Sequence, residues 1–206
     1  GHALDEDIFC FNVESEPELA AISAIAAARG RPARVALRVN PDVDAGARED
    51  FDRKAENKFG IPLGRARDVY RQAAALPGIK VTGIDIHIGS QITDLEPFDN
   101  AFALVAEFLR LLEADGHAID HIDLGGGLGI PYRPTDKGDA FHPDLYAAIV
   151  RRHFGGLGRQ LIFEPGRLIA GNAGILVTRV LYVKKAEAKA FVIVDAGMND
   201  LIRPTL

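Results

Sequence analysis

A single cysteine, Cys10, stands in 206 residues, so no internal disulfide can form, and its apolar neighbours Ile8, Phe9 and Phe11 suggest a buried strand position in a reducing compartment. No basic-then-apolar leader opens the chain. Its longest apolar run, at 174–183, is broken by Thr178 and Arg179 and falls short of a membrane span, so a cytoplasmic protein without membrane contact is expected. Basic residues form no cluster and the formal charge is -5, which leaves no electrostatic footprint for a nucleic acid. Internal repeats and low-complexity tracts are absent too. The chain begins Gly1-His2 without Met, as a cloning scar or a piece of a longer protein would.

What is present is apolar surface for one sizeable core: 48% of residues are hydrophobic and the mean hydropathy is +0.04. Short β-rich runs at 8–13, 34–39, 81–87, 118–124 and 161–164 alternate with helix-patterned segments, the signal of βα units and a parallel sheet. Ser15-Glu16-Pro17-Glu18 reads as a capping box opening a helix with Leu19, Ile22 and Ile25 or Ala26 on one stripe, ended by Gly30 and Pro32. Further helices are expected at about 65–76, through Phe98, Phe102, Val105, Leu109 and Leu112, and at roughly 143–154. After Glu164 the runs at 174–183 and 190–194 flank a charged stretch, which predicts an antiparallel hairpin opening a second domain. The expected domains are 1–172 and 173–206. Five parallel strands are too few for a closed eight-stranded barrel, so the sheet is open and doubly wound or part of a barrel. The charged segment 40–64 reads as a solvated loop. Its acidic residues lack the fixed positions of a calcium loop, and no metal is expected.

Three strand ends carry chemistry. Ile122-Asp123-Leu124 runs into Gly125-Gly126-Gly127, which is either a cradle whose N–H groups close on an anion without a Cβ in the way or only a tight strand-to-loop turn. A dinucleotide motif would need Gly at 130 and an immediate helix, where Ile130 and Pro131 stand instead. At Glu164-Pro165-Gly166-Arg167 a carboxylate and a guanidinium flank a turn. This is either a surface ion pair or a site where Glu164 holds a heterocycle nitrogen while Gly166 and Arg167 face a phosphate or carboxylate. His87-Ile88-Gly89-Ser90 places an imidazole at a strand end and a hydroxyl beyond a glycine.

Together these motifs resemble the alanine-racemase-type barrel of fold-type III pyridoxal-phosphate enzymes, and among them the diaminopimelate decarboxylases. Phe11-Asn12-Val13-Glu14-Ser15, Arg38-Val39-Asn40-Pro41, Lys58-Phe59-Gly60-Ile61, His87-Ile88-Gly89-Ser90-Gln91 and Asp195-Ala196-Gly197-Met198-Asn199-Asp200 are similar to that family's signatures. The resemblance implies an α/β fold made of a partial TIM (β/α)8 barrel, about strands 4 to 8, followed by the start of a C-terminal β domain. It implies pyridoxal 5'-phosphate as cofactor, with His87 stacked on the ring, Ser90 near the phosphate, and Gly125, Gly126, Gly127, Gly166 and Arg167 around it. Glu164 would face the pyridine nitrogen, and Arg167 and Arg203 would bind a substrate carboxylate. The implied reaction is decarboxylation of meso-diaminopimelate to L-lysine by a homodimer.

The family's Schiff-base lysine lies upstream of everything matched, and this chain has no lysine before Lys54. The proton-donor cysteine lies downstream of Leu206, and Cys10 is no substitute. The chain is therefore expected to be the middle of an enzyme and inactive alone. In the 45–54 loop it departs from the family pattern. The alternatives are an ornithine, arginine or carboxynorspermidine decarboxylase of the same fold, and a non-catalytic partial barrel that pairs through its open edges.

Overall fold

The computed structural model describes residues 1–43, 59–138 and 141–202. The chain divides into two compact units, Gly1–Ile169 and Ala170–Leu206. The reading of a long 40–64 loop lies mostly outside the described residues, as does Arg203.

In the first unit, β1 (Phe11–Val13), β2 (Ala33–Asn40), β4 (Ile79–Asp85), β5 (His121–Asp123) and β6 (Gln160–Ile162) form one parallel sheet in that order. The two-residue strand β3 (Ile61–Pro62) pairs with the end of β2. All five expected parallel strands are present: β1, β5 and β6 are shorter than expected, β2 is longer by a residue at each end, and β4 begins and ends two residues earlier. Ile8 and Phe9 are exceptions: they precede β1 and are 41% and 46% exposed, so Cys10 is half-buried outside any strand and not in a buried one. The short helix α1 (His2–Asp5), on which Leu4 is buried, occupies the segment before them.

Helix α2 (Glu16–Arg29) starts where Ser15 Oγ accepts the Glu18 N–H at 3.4 Å. The Glu18 carboxylate returns to the N–H of Glu14, one residue before the cap, at 2.8 Å. Leu19, Ser23 and Ala26 form its buried face while Ile25 points outward, and Gly30 closes it at φ +60. Loss of the cap, by Ser15→Ala, is expected to cost about 1 kcal/mol, read as a lower urea midpoint at unchanged slope. Helices α3 (Leu63–Ala75), α4 (Glu96–Ala114) and α5 (Pro143–Phe154) match the expected segments. Phe98 and Phe102 of α4 meet Tyr146 edge-on at 5.1 and 5.8 Å, and Phe154 lies 5.5 Å from Phe102, so aromatic packing joins α4 to α5.

Period-two alternation sorts the sheet into two faces. Leu37, Ile84, Ile122 and Leu161 are register partners and pack into the core under the helices. Their neighbours Ala36, Gly83 and His121 form one row of the opposite face, and Arg38, Asp85 and Asp123 form the next. Asn12 Nδ2 donates to Asp123 Oδ2 at 3.2 Å although β1 and β5 are three places apart, roughly 14 Å in a flat sheet. Only a strongly curled sheet allows that contact. On its concave side the fully buried His121 ring fills the space above Gly83, where a Cβ would lie 2.1 Å from His121 Nε2.

The second unit holds an antiparallel pair, β7 (Val180–Lys185) and β8 (Ala190–Val194). Residues 174–179 stay outside the strand, and Lys184 and Lys185 fall within it, so the turn is tighter than the charged stretch suggested. Among the described residues no helix is long and apolar enough to cross a membrane.

Candidate functional site

Parallel strands bring their carboxyl ends to one side of a sheet, and the three motifs follow β4, β5 and β6 there. The Gly126 N–H donates to His87 Nδ1 at 3.3 Å, and the Glu164 N–H donates to the Gly125 carbonyl at 2.8 Å. Gly127 approaches Gly89 so closely that a Cβ there would meet its carbonyl oxygen at 2.5 Å. His87, Gly89, the three glycines and Glu164 are thus adjacent. Arg167, on the short helix α6 (Gly166–Ala170), joins them through Gln91: its Nη1 lies 3.5 Å from Gln91 Oε1 and 3.1 Å from the Tyr132 hydroxyl. Gln91 is fixed from below, where its amide donates to the Ile130 carbonyl at 2.7 Å and accepts the Ile130 N–H at 3.2 Å. Ser90 is exposed beside Gly89.

The glycines are explained first by packing. A Cβ on Gly126 would lie 2.2 Å from the Glu164 carbonyl oxygen, and one on Gly125 2.3 Å from that of Ile86. Gly125 and Gly127 also adopt positive φ, +63 and +104. The space without a Cβ is therefore occupied by neighbouring backbone. Several of the N–H groups are engaged as well: Gly125 with Asp123 Oδ1, Gly126 with His87, and Gly166 with the Glu164 carbonyl. The Gly127 N–H has no acceptor among the described residues. Beside Gly166, by contrast, a Cβ would meet nothing within 4 Å.

Around this opening, charged groups lack partners. The Glu164 carboxylate is exposed and makes no hydrogen bond or ion pair among the described residues. Partial desolvation, then the Asp123 charge, push it above the usual carboxylate range. Arg167 has hydrogen-bonding neighbours but no carboxylate partner among the described residues. His87 is half-buried, and desolvation, with Arg38 second, lowers its pKa, so the ring is neutral near pH 7. An uncompensated guanidinium with a free N–H suits a phosphate, an unpaired carboxylate suits a protonated heterocycle nitrogen, and a neutral imidazole suits a stacked ring. The residues present fit a phosphate-bearing heterocycle. No group of three or more His, Cys, Asp or Glu is placed to hold a metal among the described residues.

Beneath this rim lies a layer that the sequence reading passed over. Arg38 forms an ion pair with Glu14, and next to it Asp85 and Asp123 are each 4% exposed. Desolvation first, then the Asp123 charge, raise Asp85 to about 7. Asp85 and Asp123 visibly interrupt apolar strand runs, but that they share one row is set by the register of β4 and β5.

The family model described as "Pyridoxal-dependent decarboxylase, pyridoxal binding domain" matches residues 1–171. Diaminopimelate decarboxylase of Neisseria meningitidis serogroup A is 48% identical over 207 residues, covering 99% of this chain and 50% of that protein. The Haemophilus influenzae diaminopimelate decarboxylase is likewise 48% identical, with 99% and 49% covered. The crystal structure of Helicobacter pylori diaminopimelate decarboxylase complexed with L-lysine superposes with a TM-score of 0.88 at 38% identity, covering 99% of this chain and 51% of that one. The chain spans about half the length of the curated relatives it matches. With a parallel sheet, a rim suited to a phosphate-bearing heterocycle and a match over residues 1–171, the chain belongs to the pyridoxal-binding domain family of the pyridoxal-dependent decarboxylases.

Proposed function

We propose that this chain supplies the ring-nitrogen and phosphate contacts of a pyridoxal 5'-phosphate-dependent decarboxylase that converts meso-diaminopimelate to L-lysine. The observation that carries the proposal is the convergence of His87, Glu164 and Arg167, three chemically unlike groups, at one end of the sheet. The 48% identity with diaminopimelate decarboxylases supports the choice of substrate over ornithine, arginine or carboxynorspermidine. In this reading β1, β2, β4, β5 and β6 are the fourth to eighth strands of a (β/α)8 barrel, residues 173–206 begin a C-terminal β domain, and the whole enzyme is a cytoplasmic homodimer.

When bound, the cofactor supplies a sink for the electron pair left as carbon dioxide departs. The protein's part is placement and charge. Glu164, whose carboxylate has no partner among the described residues, would accept the N–H of the ring nitrogen and so hold a proton there. His87 would stack on the ring as a neutral imidazole, and Arg167 with the Gly127 N–H and the Ser90 hydroxyl would receive the phosphate; Arg203, outside the described residues, is proposed to bind a substrate carboxylate. Tyr132 and Gln91 keep Arg167 aimed at the opening. Lys80, at the start of β4, stands at the opposite end of the sheet, and Lys137 is exposed in a loop. The lysine that attaches the cofactor and the proton-donor cysteine are proposed to lie outside these 206 residues.

The 206-residue chain should therefore bind pyridoxal 5'-phosphate without covalent attachment, about tenfold or more weakly after Glu164→Ala or Arg167→Ala. It should release no carbon dioxide from meso-diaminopimelate. Fluorescence titration, borohydride trapping and a carbon dioxide assay test this. Steady turnover by the chain alone, or a pyridoxyl group trapped on any lysine from Lys54 to Lys189, would sink the proposal.

A further inference from the structure

The row Arg38, Asp85, Asp123 runs in register across β2, β4 and β5, directly beneath His87, Gly125 and Glu164. Its charges do not balance. Arg38 is engaged by Glu14, so its guanidinium is shared before it reaches Asp85. Asp123 is well supported, with Oδ1 accepting the Gly125 N–H at 2.9 Å and Oδ2 accepting Asn12 Nδ2 at 3.2 Å. Asp85 is as deeply buried, yet its Oδ1 has no hydrogen-bond partner among the described residues. An ionised carboxylate buried without a donor, and beside a second carboxylate, is strongly disfavoured, whereas a carboxylic acid there has an acceptor next to it in register.

We infer that Asp85 is a positioning residue of this site: it carries a proton directed to Asp123 and so holds the layer beneath His87 and Glu164 one negative charge below its full count. Among the described residues the charged and titratable groups around it are Glu14 just after β1, Cys10 just before it, Arg38 from β2, His87 beyond β4, Asp123 from β5 and Glu164 beyond β6. Tyr70 of α3 sits behind, donating to the Gly83 carbonyl at 2.9 Å, and burial keeps its phenol neutral. The direction and size of the Asp85 shift, to about 7, agree with the geometry. Because Asp123 accepts two hydrogen bonds and Asp85 Oδ1 accepts none among the described residues, the proton belongs on Asp85. The functional consequence rests on the proposed cofactor site. The protonation does not.

Carboxyl-carbon NMR of the whole 206-residue chain labelled in aspartate, with Asp85 assigned through its own backbone, reads the proton without any variant. The Asp85 carbon is expected to titrate near pH 7, well above the ordinary carboxylate range. The His87 ring resonances should show a second inflection at the same pH. Asp85→Asn should remove both, and Asp123→Asn should move the Asp85 midpoint down by relieving like-charge repulsion. An Asp85 carbon that titrates in the ordinary carboxylate range would overturn the inference. So would a high-pH inflection that survives Asp85→Asn but vanishes in Asp123→Asn, or a His87 ring insensitive to Asp85→Asn. Failure of the chain to bind pyridoxal 5'-phosphate would count against the proposed function and leave these titrations standing.

Discussion

Gly126→Ala is expected to destabilise the chain by roughly 3 kcal/mol or more and to displace Glu164. The added methyl would sit 2.2 Å from the Glu164 carbonyl oxygen and 3.2 Å from its carbonyl carbon. Contacts of this kind settle at 3.5 Å or beyond, so the two strand ends must separate by about 1 Å. Their separation strains the bonds from the Glu164 N–H to the Gly125 carbonyl and from the Leu124 N–H to the Ile162 carbonyl, 2.8 and 2.9 Å long. Neither atom is the end of a flexible side chain, so little can yield. In the cofactor site proposed above, a shift of about 1 Å in Glu164 costs on the order of a hundredfold in productive placement, so Gly126→Ala should also weaken pyridoxal 5'-phosphate binding beyond its effect on stability. Gly166→Ala is the control, because a Cβ there meets nothing within 4 Å. It should leave stability within about 0.5 kcal/mol of the parent chain yet weaken pyridoxal 5'-phosphate binding. Urea unfolding of both variants decides the matter, and equal midpoints would refute the steric account.

Asp85→Asn should make the chain more stable above pH 8, by roughly 4 kcal/mol. The sign follows from proton binding. Asp85 titrates near 7 in the folded chain against 3.8 for the free group, so between those values the folded state holds a proton that the unfolded state has released. Stability from this group is complete below about pH 4, declines as pH rises towards 7, and is lost above it. Asparagine keeps the shape and cannot ionise, so the variant lacks the decline. For a chain of this size the difference amounts to about 10 °C in Tm at pH 8.5 and little at pH 4. Glu164 shifts in the same direction and Asp99 in the opposite one, but both are common to the two proteins. Thermal unfolding of the pair from pH 4 to 8.5 measures the difference, and parallel curves would exclude a neutral Asp85.

Much of the fold was legible because its long elements repeat a simple pattern. The stripe Phe98, Phe102, Val105, Leu109, Leu112 specifies α4, and Ser15 with Glu18 marks the start of α2. The short elements carry no period to read: β3 has two residues, α1 four and α6 five. The 8–9 segment misled for a related reason, since Ile8 and Phe9 are apolar but stand before the sheet. At the site, the three strand-end motifs announced themselves through glycine and charge. The acidic layer beneath them did not, because it depends on register. Between Val35 and Ala36 the β2–β4 pairing shifts, after which Ala36 faces Gly83 and Arg38 faces Asp85. One residue of slip would have turned Asp85 to the helices, and no local pattern records it.

The His121 ring over Gly83 has a consequence for how this sequence can drift. Positions 83 and 121 share one volume, divided as nothing and an imidazole. Neither can change size alone, so across descendants of this chain the two should be inherited as a pair. A larger residue on β4 would be found only where β5 has given up its ring, and the order of the two changes would matter, because the first step in one direction leaves a cavity and in the other a clash.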